Sequence, residues 1–251
     1  MSDKIKKTIL FLIVTITFIL IFLKGPMPQS VEYHNFADQR GLWNINNFGD
    51  VISNLPFIFT GLFGLLTLKN YPPSVASKSW SVFFIGVTLV APGSAWYHLN
   101  PNNITLVWDR LPMTIAFMGL FTAMISTYIN EGYEKFLLPF SIFFGFASVV
   151  IWHLTDDLRM YAFVQVAPLV LIPVVITLFR SSQIKPLYLA AGLNFYIIAK
   201  LVESNDSKIF GFTQDFISGH TIKHLSASLA PLILALMLKK VYLHQSKIKL
   251  S

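Results

Sequence analysis

Five polar residues in an otherwise apolar chain have the types and spacing of a hydrolytic metal site. They are Ser94 and His98 in GSAWYHLNP, Asp109 in WDRLP, and His220 and His224 in GHTIKHLSAS. Residues four apart on a helix lie on one face about a turn from each other, so His220 and His224 can share one metal ion. Ser94 and His98 repeat that spacing on a second segment. The chain has no cysteine, so any transition metal must rely on imidazole and carboxylate. Zinc on three neutral imidazoles keeps a fourth position for water, whose pKa it lowers toward about 7. Asp109 then suits an acceptor for a proton of that water, or its general base, and Ser94 a hydrogen bond to a substrate carbonyl as negative charge develops there. The chemistry expected is metal-assisted hydrolysis of an amide or ester. His34, His153 and His244 are read as non-ligands, since they lie in a polar segment, before an acidic loop and in a basic tail.

The elements that must position these residues are membrane helices. Of 251 residues, 54% are hydrophobic and only 12% charged, where a soluble domain has about 25% charged. A basic start (Lys4, Lys6, Lys7) precedes an apolar run over 8–23. No small-residue cleavage site follows in KGPMPQS, so an uncleaved anchor is expected. A polar, aromatic segment covers 25–48. Seven further apolar segments lie near 49–69, 79–98, 106–128, 136–154, 160–180, 186–203 and 217–238. Each is close to the roughly 20 residues of a spanning helix. Without alternating strand patterns, helices alone satisfy the backbone in lipid. The expected fold is all-α and integral to the membrane: a seven-helix bundle plus one extra N-terminal transmembrane helix. The expected units are an anchor (1–24), an extracytoplasmic polar segment (25–48), the helical domain (49–242) and a basic cytoplasmic tail (243–251). Nothing resembles a nucleic-acid module, because the basic residues are scattered at the ends of apolar runs.

Lysine and arginine bias sets orientation. With both termini cytoplasmic and eight crossings, one side holds Lys4, Lys6, Lys7, Lys69, Lys78, Lys135, Arg180, Lys185, Lys239, Lys240, Lys247 and Lys249. The other keeps mainly Lys24, Arg40, Arg110, Arg159 and Lys208. All five marked residues then fall at the extracytoplasmic face. Among the remaining polar residues, Lys200 and Glu203 are expected to pair within their helix. Lys223 is expected to point away from the two histidines, snorkelling outward or pairing with Asp215. Asp156, Asp157 and Arg159 read as a solvated turn, and Asn54 as an interhelical hydrogen-bonding group. Gly61, Gly64, Gly86, Gly93 and Gly145 read as close helix contacts.

GSAWYHLNPNNITLVWDRLPM followed by SGHTIKHLSA resembles the alkaline ceramidases, and especially bacterial relatives termed alkaline phytoceramidases. The wider superfamily includes the progestin and adiponectin receptors. NFGDVISNLPFIFTGLFGL is similar to the family's first core helix, and FADQR, TDDLRMYAFVQ and AKLVE to its bacterial branch. The likeness runs from about residue 34 to residue 235. It implies a bundle of alkaline ceramidase type, with His98, His220 and His224 as zinc ligands and Asp109 and Ser94 as catalytic partners. It also implies a ceramide-like membrane lipid as substrate, cleaved at its amide to a long-chain base and a fatty acid, and a bacterial inner-membrane setting. Animal members hold calcium on an acidic N-terminal motif and a Glu before the Ser-Asn helix. Here that region offers Asp38, Asn44, Asn46, Asn47 and Asp50, with Asn47 nearest that Glu, so calcium is not expected. The extra N-terminal crossing is a second departure. Two rivals are a receptor-like lipid-binding protein with structural zinc and a transporter whose His and Asp relay protons.

Overall fold

A computed structural model describes residues 1–73, 75–180 and 184–250, with side chains up to residue 246. These residues form ten α-helices in order: α1 (Asp3–Phe22), α2 (Phe48–Ile52), α3 (Leu55–Asn70), α4 (Ser77–Leu99), α5 (Asn103–Tyr128), α6 (Glu134–Thr155), α7 (Arg159–Leu178), α8 (Pro186–Glu203), α9 (Asp206–Phe212) and α10 (Gly219–Leu250). There is no strand among the described residues. Among the described residues, seven stretches are long and apolar enough to cross a membrane, with α2 and α3 counted as one. The pair α8–α9, bent by 79°, makes an eighth if it is one span. The protein is an all-α membrane bundle. The last helix runs well past the expected 238, because KKVYLHQSKIKL contains no glycine or proline to stop it.

The first core crossing is broken where its sequence requires a break. Pro56 has no N–H and its ring would clash with the carbonyl four residues earlier, so α2 ends at Ile52 and α3 begins at Leu55. The carbonyl of Asp50, freed at this point, accepts from Ser53 Oγ (3.1 Å) and Asn54 Nδ2 (2.7 Å). Asn54 thus bonds its own broken helix rather than a neighbouring one. A local carbonyl without a ladder partner outcompetes a distant acceptor.

Glycine lets α4 approach its neighbours closely. A Cβ on Gly86 would stand 2.5 Å from the Ala116 backbone nitrogen of α5, and one on Gly93 would overlap the Trp108 carbonyl. Gly61 and Gly64 of α3 meet α4 with equal closeness, while Gly145 of α6 meets Thr114 and Met118 of α5. The main core lies between these helices around Trp80, Phe84, Met124 and Met237. A smaller cluster of Phe36, Tyr97, Leu106, Val149, Trp152 and Tyr161 sits at the end that carries the histidines.

α1 leans on the outside of α7, with Phe18 edge-on to Phe163 at 5.4 Å. The segment 25–47 then crosses the end of the bundle as a strap. Asp156 accepts the Gln29 N–H (3.0 Å) and Asp157 the Met27 N–H (3.2 Å). Asp157 also pairs with Arg159 at 2.6 Å. The expected solvated turn is therefore an anchor point, because two backbone donors of the strap have no other partner there. At the opposite end, Lys6 lies over Phe179, Lys7 over Tyr133 and Lys239 over Tyr71. The lysine-rich termini thus share one end of the bundle and the strap lies across the other.

Two outcomes follow from this packing. Gly86→Ala should destabilise the purified protein by about 1–3 kcal/mol, the usual penalty of overpacking, read as a lower melting temperature in detergent. The Arg159 side chain holds the Asp157 carboxyl down to about 2. A carboxyl whose folded pKa is depressed contributes fully above its unfolded value of about 3.9 and loses that contribution as pH falls. Protection of the Met27 amide against hydrogen exchange, corrected for intrinsic rate, should hold at pH 5 and fade from about pH 4 toward pH 2.

Candidate metal centre

Each marked residue sits near a helix end that the sequence fixes. Asn102 caps α5, accepting from Ile104 and Thr105 N–H groups while the Thr105 hydroxyl accepts the Asn102 N–H. That cap sets the start of α5 and so puts Asp109 on its second turn. Ser218 Oγ accepts the Thr221 N–H at 2.9 Å and so caps α10, which places His220 and His224 on its first two turns. Gly219 is required there, since a Cβ would overlap the Val202 carbonyl of α8. His98 lies in the last turn of α4, and Asn47 Nδ2 donates to its carbonyl at 2.8 Å.

These ends bring His98, His220 and His224 together. All three are buried, and their donor atoms lie within 4.8 Å of one another. His98 Nε2 and His220 Nε2 stand 3.3 Å apart. Two tetrahedral ligands with Zn–N bonds of about 2.0–2.1 Å stand about 3.3 Å apart, so this pair already has tetrahedral spacing. His224 presents its second nitrogen by a relay: Nδ1 lies 2.7 Å from Ser53 Oγ, whose own hydroxyl donates to the Asp50 carbonyl. A hydroxyl that is already donating must accept from the ring. The proton is therefore on Nδ1, and Nε2 keeps its lone pair. That Nε2 is buried with no hydrogen-bond partner, as a vacant metal ligand would be. The three imidazoles can hold a metal ion.

Lys223 corrects the sequence reading. Its ammonium lies 3.1 Å from His220 Nε2 and 2.9 Å from Glu203 Oε1, not out toward Asp215. Residues three apart share a helix face, so Lys223 could not point away from His220. An ammonium only donates, hence His220 Nε2 also carries a lone pair, the one a metal would take. The Lys200–Glu203 pair is present as expected, at 2.8 Å.

Ser94 and Asp109 line a cavity of about 450 Å³ together with His224, Lys200, Glu203 and Lys223. The rest of its wall is apolar, from α5 (Met113, Phe117), α7 (Ile172, Ile176), α8 (Leu193) and α10 (Leu234). His34 is not with the other histidines: it bonds the Tyr97 hydroxyl and Asn103 Oδ1, both at 2.9 Å. The residues compared with a calcium motif are engaged separately. Asp38 pairs with Arg40 at 2.7 Å, and the guanidinium holds its carboxyl below the usual range. Asp50 accepts from Thr221 Oγ1 (2.8 Å) and Ser218 Oγ (3.2 Å).

Several members of the site were not singled out from the sequence. Ser53 orients His224, Phe36 of the strap rests on His98 and His220 at ring distances of 4.6 and 4.5 Å, and Asp206 accepts the N–H groups of His220 (2.7 Å) and Ala37 (2.9 Å). Pro56 was the available signal for Ser53, because a break puts unpaired polar groups beside it. Phe36 carries no such signal.

Residues 43–202 match the family model described as Ceramidase. No curated protein matches the chain. The matched stretch contains Ser94, His98 and Asp109 and ends before α10, so the joining of His220 and His224 to the other three rests on the geometry above.

Ser53→Ala should weaken metal binding by about 10- to 100-fold, the range for groups that orient a ligating histidine. Chelator competition on the purified protein would measure it. Unchanged affinity would mean that the Ser53 relay does not set the His224 ring.

Proposed function

The chain belongs to the ceramidase family of hydrolases acting on amide bonds, and from that premise we propose that it is a zinc-dependent membrane amidohydrolase. Its substrates are ceramide-like lipids, cleaved to a long-chain base and a fatty acid. The observation that carries this reading is a cluster of three buried imidazoles, one of which, His224, lines an apolar cavity together with Ser94 and Asp109. Zinc fits the donor set, because three neutral nitrogens without thiolates match the ligands of hydrolytic zinc sites.

When bound to His98, His220 and His224, zinc would polarise the amide carbonyl and acidify a water beside it. Asp109 takes the proton of the attacking water and returns it to the amide nitrogen as the C–N bond breaks. The Ser94 hydroxyl donates to the carbonyl oxygen as charge gathers there. The apolar wall receives the acyl chain, and Phe36 covers the histidines from the strap side.

In the proposed arrangement, residues 1–24 anchor the chain, 25–48 lie outside the membrane, 49–242 form the hydrolase domain and 243–251 belong to the cytoplasmic end. Both termini are cytoplasmic and the site lies near the extracytoplasmic face, in a bacterial inner membrane. Lysine bias and the gathering of Lys6, Lys7 and Lys239 at one end support this orientation.

The test joins metal analysis to a lipid-panel hydrolysis assay on one purified sample. Wild type should carry one zinc per chain and release fatty acid from labelled ceramide. His220→Ala should lose the metal, and Asp109→Asn should keep it while kcat drops by about 10²- to 10⁴-fold. Wild-type rates in both variants would remove the catalytic assignment. Stoichiometric zinc without turnover of any lipid would favour the receptor-like reading.

A further inference from the structure

Four charged side chains line the cavity among the described residues: Asp109, Lys200, Glu203 and Lys223. One carboxylate, Glu203, serves two ammoniums, Lys200 at Oε2 (2.8 Å) and Lys223 at Oε1 (2.9 Å). The Lys223 contact is close without being aligned as a hydrogen bond, since Glu203 Oε1 has no hydrogen-bond partner. Lys223 and Glu203 are each 17% exposed, whereas Lys200 is 47% exposed. Lys200 is therefore the ammonium with donors to spare, and it faces the cavity.

Two cations and two carboxylates balance, and the neutral imidazoles add nothing. A divalent ion on the histidines then leaves the cavity with two positive charges that no further carboxylate on its wall offsets. At membrane depth an uncompensated charge is costly, and such groups are kept for a partner. A neutral amide lipid supplies no such partner. Lys200 is also well placed along the chain of a lipid. The cavity follows α8 from Pro186 to Glu203, about 26 Å at 1.5 Å per residue, most of the roughly 30 Å hydrocarbon core. Lys200 sits near the polar end of this tunnel. One turn below it, Tyr196 meets Phe117 of α5 edge-on at 5.9 Å, narrowing the wall beneath the charged level. A chain lying in the tunnel would thus bring its head to Lys200 and its amide to Ser94 and Asp109.

We propose that Lys200, backed by the Lys223–Glu203 pair, is an anion-binding subsite, and that among ceramide-like N-acyl lipids the site favours those with a carboxylate, phosphate or sulfonate close to the amide. The subsite deepens the amidohydrolase reading and rests on it for the direction in which the lipid lies. Lys200 sets specificity in this scheme and takes no part in bond breaking. Removing it leaves the Lys223–Glu203 pair intact, whereas neutralising Glu203 adds positive charge. The two changes should move anion binding in opposite directions, which a purely structural role would not do.

The test measures binding without turnover, in the full-length, zinc-loaded Asp109→Asn protein, by tryptophan fluorescence. N-palmitoylglycine and N-palmitoylethanolamine share chain and amide and differ in head charge. The glycine lipid should bind about tenfold tighter, the scale of one charge-assisted hydrogen bond. Lys200→Met should erase the difference and Glu203→Gln should widen it. Equal affinities, or a preference that survives Lys200→Met, would overturn the proposal. If palmitate alone binds in a Lys200-dependent way while the two amides do not differ, the subsite serves the product and the substrate assignment is wrong. Wild-type turnover is read separately. A Lys200-dependent preference with no fatty acid released from either amide keeps the subsite and removes the amidase reading.

Discussion

Three imidazoles packed against one another inside lipid constitute the constraint on which the rest of this structure depends. All three rings are buried, so each nitrogen is costly to leave without a hydrogen-bond partner or a metal. Ser53 supplies the acceptor that fixes the His224 tautomer, and Lys223 the donor that faces His220. The helix ends are held accordingly. Asn102 and Ser218 cap α5 and α10, Asn47 holds the end of α4, and Asp206 binds strap and α10 together. Removing Ser53 or Asn47 would leave a buried polar atom without its partner.

How much of this could be read from the sequence depends on the range of the interaction. That the apolar runs are membrane helices was legible because runs of spanning length have few alternative structures, whereas the breaks after Ile52 and Glu203 were not. Four-residue spacing put His220 with His224 and Ser94 with His98, and the structure brings the three histidines into one cluster. Ser94 and Asp109 reach the wall of the same cavity, while their chemical roles remain proposals. Lys223 was misread although the rule that places it is local, since 220 and 223 are as surely neighbours as 220 and 224. Asn54 was misread because the break at Pro56 created a nearer acceptor. Phe36 and Asp206 were illegible for a different reason. Their contacts span well over a hundred residues or join segments whose crossing depends on the whole bundle.

The charged groups divide the cavity into two chemical zones. Below Tyr196 the wall is apolar and offers a hydrocarbon chain only shape and dispersion. Above it, lysines, carboxylates and histidines lie within two helical turns along α8 and α10. Ceramidase-family chemistry needs both zones, since the bond to be cut lies where an acyl chain meets a polar head. The proline-broken first crossing serves the upper zone as well, delivering Ser53 to the ring of His224 through a bend that a continuous helix would lack.

The strap across the histidines joins segments that lie far apart along the chain. Phe36 rests on the His220 ring of α10, and Ala37 donates its N–H to Asp206, which also accepts the N–H of His220. Without α10 packed in place, the histidine cluster lacks two of its three rings and Asp206 has no helix start to hold. The ring cluster is therefore a property of the packed bundle, absent from any partly folded state in which α10 has not yet docked.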